Sequence, residues 1–388
     1  MALGKVFGMP RTRLAALAVT ATLALSGCVP SPAVFAPMSG GTGAAAAVGS
    51  ELVEPLQHSL ANGDRSAFLA NFAPGDASIS QGSQLFDNLR RLQDVSFSSA
   101  GQTSDVSVSW RVPGDPTAAT QVIALTLGRS AGRAVITSLR PGPSVPIWLL
   151  GDTVARSSAG GTVLALQTVP AAQLTRWERR LGKAAGAVSA SRLGILDEGW
   201  NGDLVIELPK TAAQFRVLSG ESGGGAAAVT VCGTGSPRIV INPTQLDEDA
   251  AYLDALLVHE AVHVATKASC EAAGPMWLRE GLAEWVAVQH SPSTRDYDRN
   301  WVEWHLARGP VPHALPADAD FDAADPDRVL AAYALGQLAV DVAVRRLGQQ
   351  RAMSFLAELM RSDPVDTQAT KQLTGWYRAE LRRIAASG

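Results

Sequence analysis

The chain has 388 residues, 46% of them hydrophobic and 18% charged, with a formal net charge of −3. That is ordinary for a globular protein, and the length accommodates two domains. With no basic block and no arginine cluster interleaved with aromatics, the composition argues against nucleic acid as a partner.

The first segment reads as a targeting signal. Lys5, Arg11 and Arg13 form a positive stretch, and residues 14–25 form an apolar run too short to span a bilayer as a mature helix. The run ends in Leu25-Ser26-Gly27-Cys28, which resembles a bacterial lipobox, whose cysteine is lipidated and becomes the new N-terminus. Residues 1–27 are therefore expected to be a lipoprotein signal peptide. A lipid on Cys28 would hold the protein on the extracytoplasmic face of the cell membrane. The alternative is a signal peptide cut nearby without a lipid. No later apolar run is long enough to span a membrane. Residues 28–50, rich in Pro, Gly, Ala and Ser, read as a flexible tether.

Residues 51–145 read as a small α+β domain. Residues 51–60 and 65–72 have helical spacing, separated at Asn62-Gly63, with Asp64 a candidate N-cap. Pro55 fits only the first turn of the first helix. Val106, Val108, Trp110 and Val112 alternate with polar residues as in a half-buried strand, and 122–127 and 134–139 read as further strands. Helices ahead of an antiparallel sheet resemble the NTF2-like or cystatin-like shape. No catalytic constellation stands here, and His58 reads as a lone helix histidine. Pro141-Gly142-Pro143 marks a boundary.

In the remainder, 146–388, residues 164–168 and 204–208 read as strands and 171–190 as a helix. Residues 226–232 and 238–242 are apolar runs joined by a Gly- and Pro-containing turn, a hairpin signal. A helix begins near the acids at 247–249, with Leu253, Leu256 and Leu257 on its buried face. A second follows Gly274-Pro275, with Trp277, Leu278, Trp285 and Val286 as apolar anchors. Residues 301–307 look helical, 309–325 form a Pro- and Asp-rich loop, and 328–347 form a long helix closed by Gly348. His290, His305 and His313 read as surface histidines.

The chemistry concentrates in two short segments. His259-Glu260-Ala261-Val262-His263 places two imidazoles four residues apart, on one face of a helix, where both can meet one metal ion. Glu260 follows the first histidine directly. The second segment, Trp277-Leu278-Arg279-Glu280-Gly281-Leu282-Ala283-Glu284, offers Glu280 as the third ligand of a site with one open position. With Cys28 assigned to a lipid, Cys232 and Cys270 remain. In an exported protein they are either a disulfide, pinning a strand against the metal helix, or two unpaired thiols.

Together these segments resemble the gluzincin metallopeptidases, the thermolysin and aminopeptidase-N type, whose pattern is H-E-x-x-H followed by a helix written W-L-x-E-G-x-A. The interval from His263 to Glu280 is slightly shorter than in thermolysin. More loosely, the stretch from about 146 onward resembles the peptidase-MA-like domain of actinobacterial lipoproteins. The resemblance implies an α+β domain with a sheet ahead of a helical C-terminal half. It implies one zinc ion on His259, His263 and Glu280, with Glu260 as general base and then general acid, and Glu284 as the acid that hydrogen-bonds a zinc histidine. It also implies an edge strand, here 226–232, that binds substrate backbone, and a tyrosine or histidine from a later helix that stabilises the oxyanion. Tyr333 is the candidate and His305 the reserve. The expected protein is a membrane-anchored extracytoplasmic zinc metallopeptidase acting on peptides or proteins. Absence of a recognisable Gly-x-Met-x-Asn motif favours endopeptidase action. The alternatives are a binding or scaffolding lipoprotein with a residual zinc site, or hydrolysis of a non-peptide amide or ester.

Overall fold

The computed structural model describes residues 42–387 except 101–104, 142–144, 198, 221–225, 234, 246–248, 272–273, 323–324 and 362–366. The expected signal peptide, Cys28 and most of the expected tether lie outside the described residues.

The N-terminal unit begins with α1 (Thr42–Ala61), α2 (Arg65–Leu69) and α3 (Asp76–Leu89). Residues 42–50, read above as tether, belong to α1, since the run Ala44 to Ala47 consists of the best helix former. Pro55 lies well inside this helix rather than in its first turn. An interior proline costs about 3 kcal/mol. Burial of Leu52, Leu56 and Leu60 on one face offsets it, at about 1.5–3 kcal/mol each. Four strands follow, β1 (Gln93–Ser99), β2 (Val106–Arg111), β3 (Ala119–Ser130) and β4 (Arg133–Pro141), in an antiparallel sheet of that order. The alternation in β2 buries Val106, Val108 and Trp110 and leaves the intervening side chains half-buried.

The second sheet is mixed. Its strands β5 (Thr153–Ser158), β6 (Gly161–Leu166), β7 (Leu204–Leu208), β8 (Ala228–Val231) and β9 (Arg238–Ile241) lie in the order β5-β6-β7-β9-β8. The inner pairs β6-β7 and β7-β9 are parallel and the outer pairs antiparallel. Helix α4 (Ala171–Ala190) makes the crossover from β6 to β7, and α5 (Ala212–Ser219) precedes β8. The inner strands β6 and β7 are buried on both faces and read as near-continuous apolar runs. Val163, Ala165, Ile206, Leu208 and Ile239 pack with the helical half. Leu164, Leu166, Val205, Val229 and Val240 belong to the core of the N-terminal unit.

The seam between the units is therefore core. Ile147 and Trp148, just past it, are fully buried. Asn88 donates to Trp148 O at 2.7 Å and Gly151 O at 2.9 Å, and accepts from Thr153 N at 2.9 Å. At the same seam the Arg238 guanidinium stacks on Trp110 at 4.3 Å, with Asp115 Oδ2 at 3.4 Å and Glu207 Oε1 at 3.8 Å.

The C-terminal half is helical: α6 (Ala250–Thr266), α7 (Ala268–Glu271), α8 (Met276–His290), α9 (Pro292–Leu306), α10 (Asp318–Phe321), α11 (Pro326–Leu347), α12 (Gln349–Arg361) and α13 (Gln368–Ser387). The mixed α+β plan, sheets ahead of a helical half, is the expected one. Among the described residues no helix is long and apolar enough to cross a membrane.

Candidate metal centre

Helix α6 starts at Asp249, whose carboxylate accepts from Ala251 N at 2.8 Å and Tyr252 N at 3.2 Å. From Ala255 to Ala265 every side chain is buried, so this helix is a central core element. It ends at Lys267, in a left-handed conformation, whose N–H donates to His263 O at 3.0 Å. Helix α8 packs beside it with Trp277, Leu278, Leu282 and Val286 buried. A Cβ on Gly281 of α8 would come within 2.4 Å of the Gly336 backbone on α11. Only glycine there lets α11 approach this closely, directly beside Glu280.

Between α6 and α8 three donor atoms converge. His259 Nε2 and His263 Nε2 are 3.1 Å apart, and each is 3.3 Å from Glu280 Oε2. Ligand atoms about 2.0–2.1 Å from one tetrahedral ion stand about 3.3–3.4 Å from one another, so the triangle has the edge length that zinc requires. Two imidazole nitrogens and a carboxylate oxygen are a donor set that zinc accepts. Glu280 Oε1 is buried with no hydrogen-bond partner among the described residues. The residues present fit a zinc ion.

The electrostatics agree. Burial would push the His259 imidazole down, but Glu280 and Glu284 together reverse this and hold it well above its ordinary value. Burial would raise Glu280, but His263 and His259 pull its carboxyl down to about 2. Surroundings that favour positive charge at His259 and negative charge at Glu280 also favour a cation held beside them. Glu284 Oε1 lies 3.3 Å from His259 Nδ1, the nitrogen facing away from the triangle.

Glu260, next to His259 in the chain, is fully buried. Its Oε2 accepts from Thr230 Oγ1 at 2.6 Å, and its Oε1 has no partner among the described residues. Thr230 lies on β8, an edge strand of the mixed sheet, within the 226–232 run. Cys232, just past β8, is bonded to Cys270 of α7, with Cα atoms 5.3 Å apart. The closed loop has a sequence separation of 38, which a chain-entropy estimate converts to about 4 kcal/mol of stabilisation.

Tyr333 of α11 is buried, its ring 6.2 Å from that of His259 and 5.2 Å from that of Phe321. His305, the reserve candidate, is placed elsewhere: it lines a cavity of about 380 Å³ with Trp304, Asp320, Arg328 and Tyr377. His58 and His290 are exposed, and His313 sits 3.5 Å from Arg378 on the surface.

Three residues at or near the site were not singled out from the sequence. Thr230 is a small polar residue within an apolar run. Asp298 of α9 is 5% exposed. Burial, then the charge of Glu284, holds its carboxyl well above the ordinary range. Arg279, next to the third ligand, is 4% exposed, with Met276 Sδ at 2.8 Å from its guanidinium. A short polar residue on the predicted edge strand was the one signal available, and it pointed only to Thr230.

No protein family matches the chain, and no curated protein matches it. Among solved structures, an M1 zinc metallopeptidase from Deinococcus radiodurans is similar at 16% identity, over 73% of this chain and 62% of that chain, with a TM-score of 0.34. Native yeast LTA4 hydrolase is similar at 13% identity, over 71% of this chain and 44% of that chain, also with a TM-score of 0.34. The chain thus spans less than two thirds of the length of either. Likeness at this level assigns neither residues nor chemistry, which stand on the geometry above.

Proposed function

We propose that the chain is a zinc-dependent hydrolase of peptide bonds, held by a lipid on Cys28 at the extracytoplasmic face of the membrane. The observation that carries the hydrolytic reading is the triangle of His259, His263 and Glu280, with Glu260, next to His259 in the chain, keeping one carboxylate oxygen unengaged among the described residues. Three protein ligands leave a fourth position for water or substrate, whereas structural zinc sites are closed by four. When bound, zinc supplies Lewis acidity that acidifies water and polarises a carbonyl.

The side chains divide the remaining work. Glu260 takes a proton from the attacking water at Oε1 and passes it to the departing amine. Glu284, at His259 Nδ1, keeps that imidazole in the tautomer whose Nε2 lone pair faces the metal. Tyr333 is the assigned donor to the developing oxyanion. The edge of β8, which pairs with β9 alone among the described residues, offers main-chain groups to an extended peptide, which makes peptides or unfolded protein segments the substrate class. Cleavage within a chain is favoured over removal of N-terminal residues, because no Gly-x-Met-x-Asn motif is recognisable.

The test is zinc content by elemental mass spectrometry, paired with digestion of a quenched-fluorescent peptide library. The wild type is expected to hold about one zinc, lost in His263→Ala. Glu260→Gln should keep its zinc and lose roughly 10²–10⁴-fold in hydrolysis. Undiminished hydrolysis by Glu260→Gln, with contaminating proteases excluded, overturns the mechanism. A wild type that takes up no zinc overturns the enzyme reading in favour of a binding lipoprotein.

A further inference from the structure

We propose that Thr230 is a positioning residue for the general base, coupling the edge strand β8 to the carboxylate of Glu260. The proposal rests on the assignment of Glu260 as general base given above. Strand residues alternate in direction. Val229, 8% exposed, joins the core beneath the sheet, so Thr230 is turned to the other face, where α6 lies. Its Oγ1 stands 2.6 Å from Glu260 Oε2 and 3.3 Å from the Glu260 backbone oxygen. A hydroxyl carries one proton, and the shorter contact has the length of a charge-assisted O–H···O⁻ bond.

That bond breaks the equivalence of the two carboxylate oxygens. Oε2 is engaged, and Oε1, buried and without a partner among the described residues, is left to act. The strand that presents Thr230 cannot easily slide. It pairs with β9 from Ala228 to Val231, and the Cys232–Cys270 disulfide ties its end to the segment following α6. A one-residue slip would turn Thr230 to the opposite face. The strand on which substrate backbone would lie is thus the strand that aims the base, and misplacing a reacting group by about 1 Å can cost on the order of 100-fold in rate.

The alternative is that the hydroxyl serves the fold, tethering strand to helix through the backbone oxygen. Two measurements on the purified full chain separate these. In zinc-loaded protein, acting on the best-cleaved peptide of the library, Thr230→Val is expected to lower kcat roughly 10- to 100-fold, with KM within about twofold and zinc content unchanged. Thr230→Ser should recover most of the loss. In metal-free protein, thermal unfolding of Thr230→Val, Glu260→Ala and the double variant forms a cycle. Thr230→Val should lower the midpoint when Glu260 is present, by on the order of 5 °C, and have little effect when it is alanine. Equal shifts in both backgrounds, or an unchanged kcat in Thr230→Val, overturn the proposal. A wild type that hydrolyses nothing would defeat the peptidase assignment instead, and the metal-free cycle would still decide whether Thr230 holds the Glu260 carboxylate.

Discussion

Two clusters of buried ionisable side chains stand out among the described residues, and they differ in what faces their carboxylates. At the seam between the sheets, Asp115 accepts from Ser236 and Thr117 as well as facing Arg238, whose guanidinium also stacks on Trp110 and neighbours Glu207. There a guanidinium faces both carboxylates, although Arg238 Nε and Trp110 Nε1 have no hydrogen-bond partner among the described residues. Between α6 and α8 the buried acids face imidazoles and a hydroxyl, and Glu280 Oε1, Glu260 Oε1 and Glu284 Oε2 have no hydrogen-bond partner among the described residues. Burying charge without full pairing is costly. The difference teaches that the first cluster holds parts of the fold together, whereas the second has the form of a receptor for a cation.

Breaking a single partner should expose the contrast. Removing Arg238 by Arg238→Ala leaves Asp115 and Glu207 buried without their cation, and should cost about 3–5 kcal/mol of stability. Denaturant unfolding reads this, and zinc binding should be unaffected apart from the lower midpoint. A loss below about 1 kcal/mol, the level of a surface ion pair, would mean that the seam is solvated and the comparison mistaken. Glu284→Gln acts on the other cluster. It should weaken zinc binding about 10- to 100-fold, measured by competition with a chelator. Unchanged affinity would remove Glu284 from the site.

The smallest effect concerns pH. Burial raises the carboxyl of Glu207, with Arg238 offsetting part of the shift. An acid whose folded-state value is raised contributes stability that is fully present below its unfolded value, near 4.5, and lost as pH rises through the folded one. Glu207→Gln removes that dependence, so relative to wild type it should gain stability as pH rises above about 4.5. Unfolding midpoints from pH 4 to 7 measure the gain. A variant that instead loses ground with rising pH would show that pairing with Arg238 outweighs burial.

Much of the secondary structure was written locally. The α4 bounds, the β7 bounds and the β2 alternation are carried by periodicity, and the β8-β9 hairpin by its turn residues. The elements missed were those whose local pattern is poor. Helix α3 is rich in serine and includes Gly82, where a Cβ would meet the Phe72 ring at 2.8 Å. It forms because packing against α2 and the sheet outweighs its low propensity. Strands β1 and β5 bury little on either face and so carry no clear alternation.

The sequence by itself determined the donor set of the candidate centre. Helical periodicity put His259 and His263 one turn apart, and the resemblance of the segment 277–284 to a known motif nominated Glu280 on the next long helix. Only the tertiary structure decided what surrounds it. Thr230 meets Glu260 across 30 residues, and Arg238 meets Asp115 across 123. Neither contact leaves a periodic trace along the chain, because a hydrogen bond between distant elements depends on how their faces pack and not on the spacing within either one.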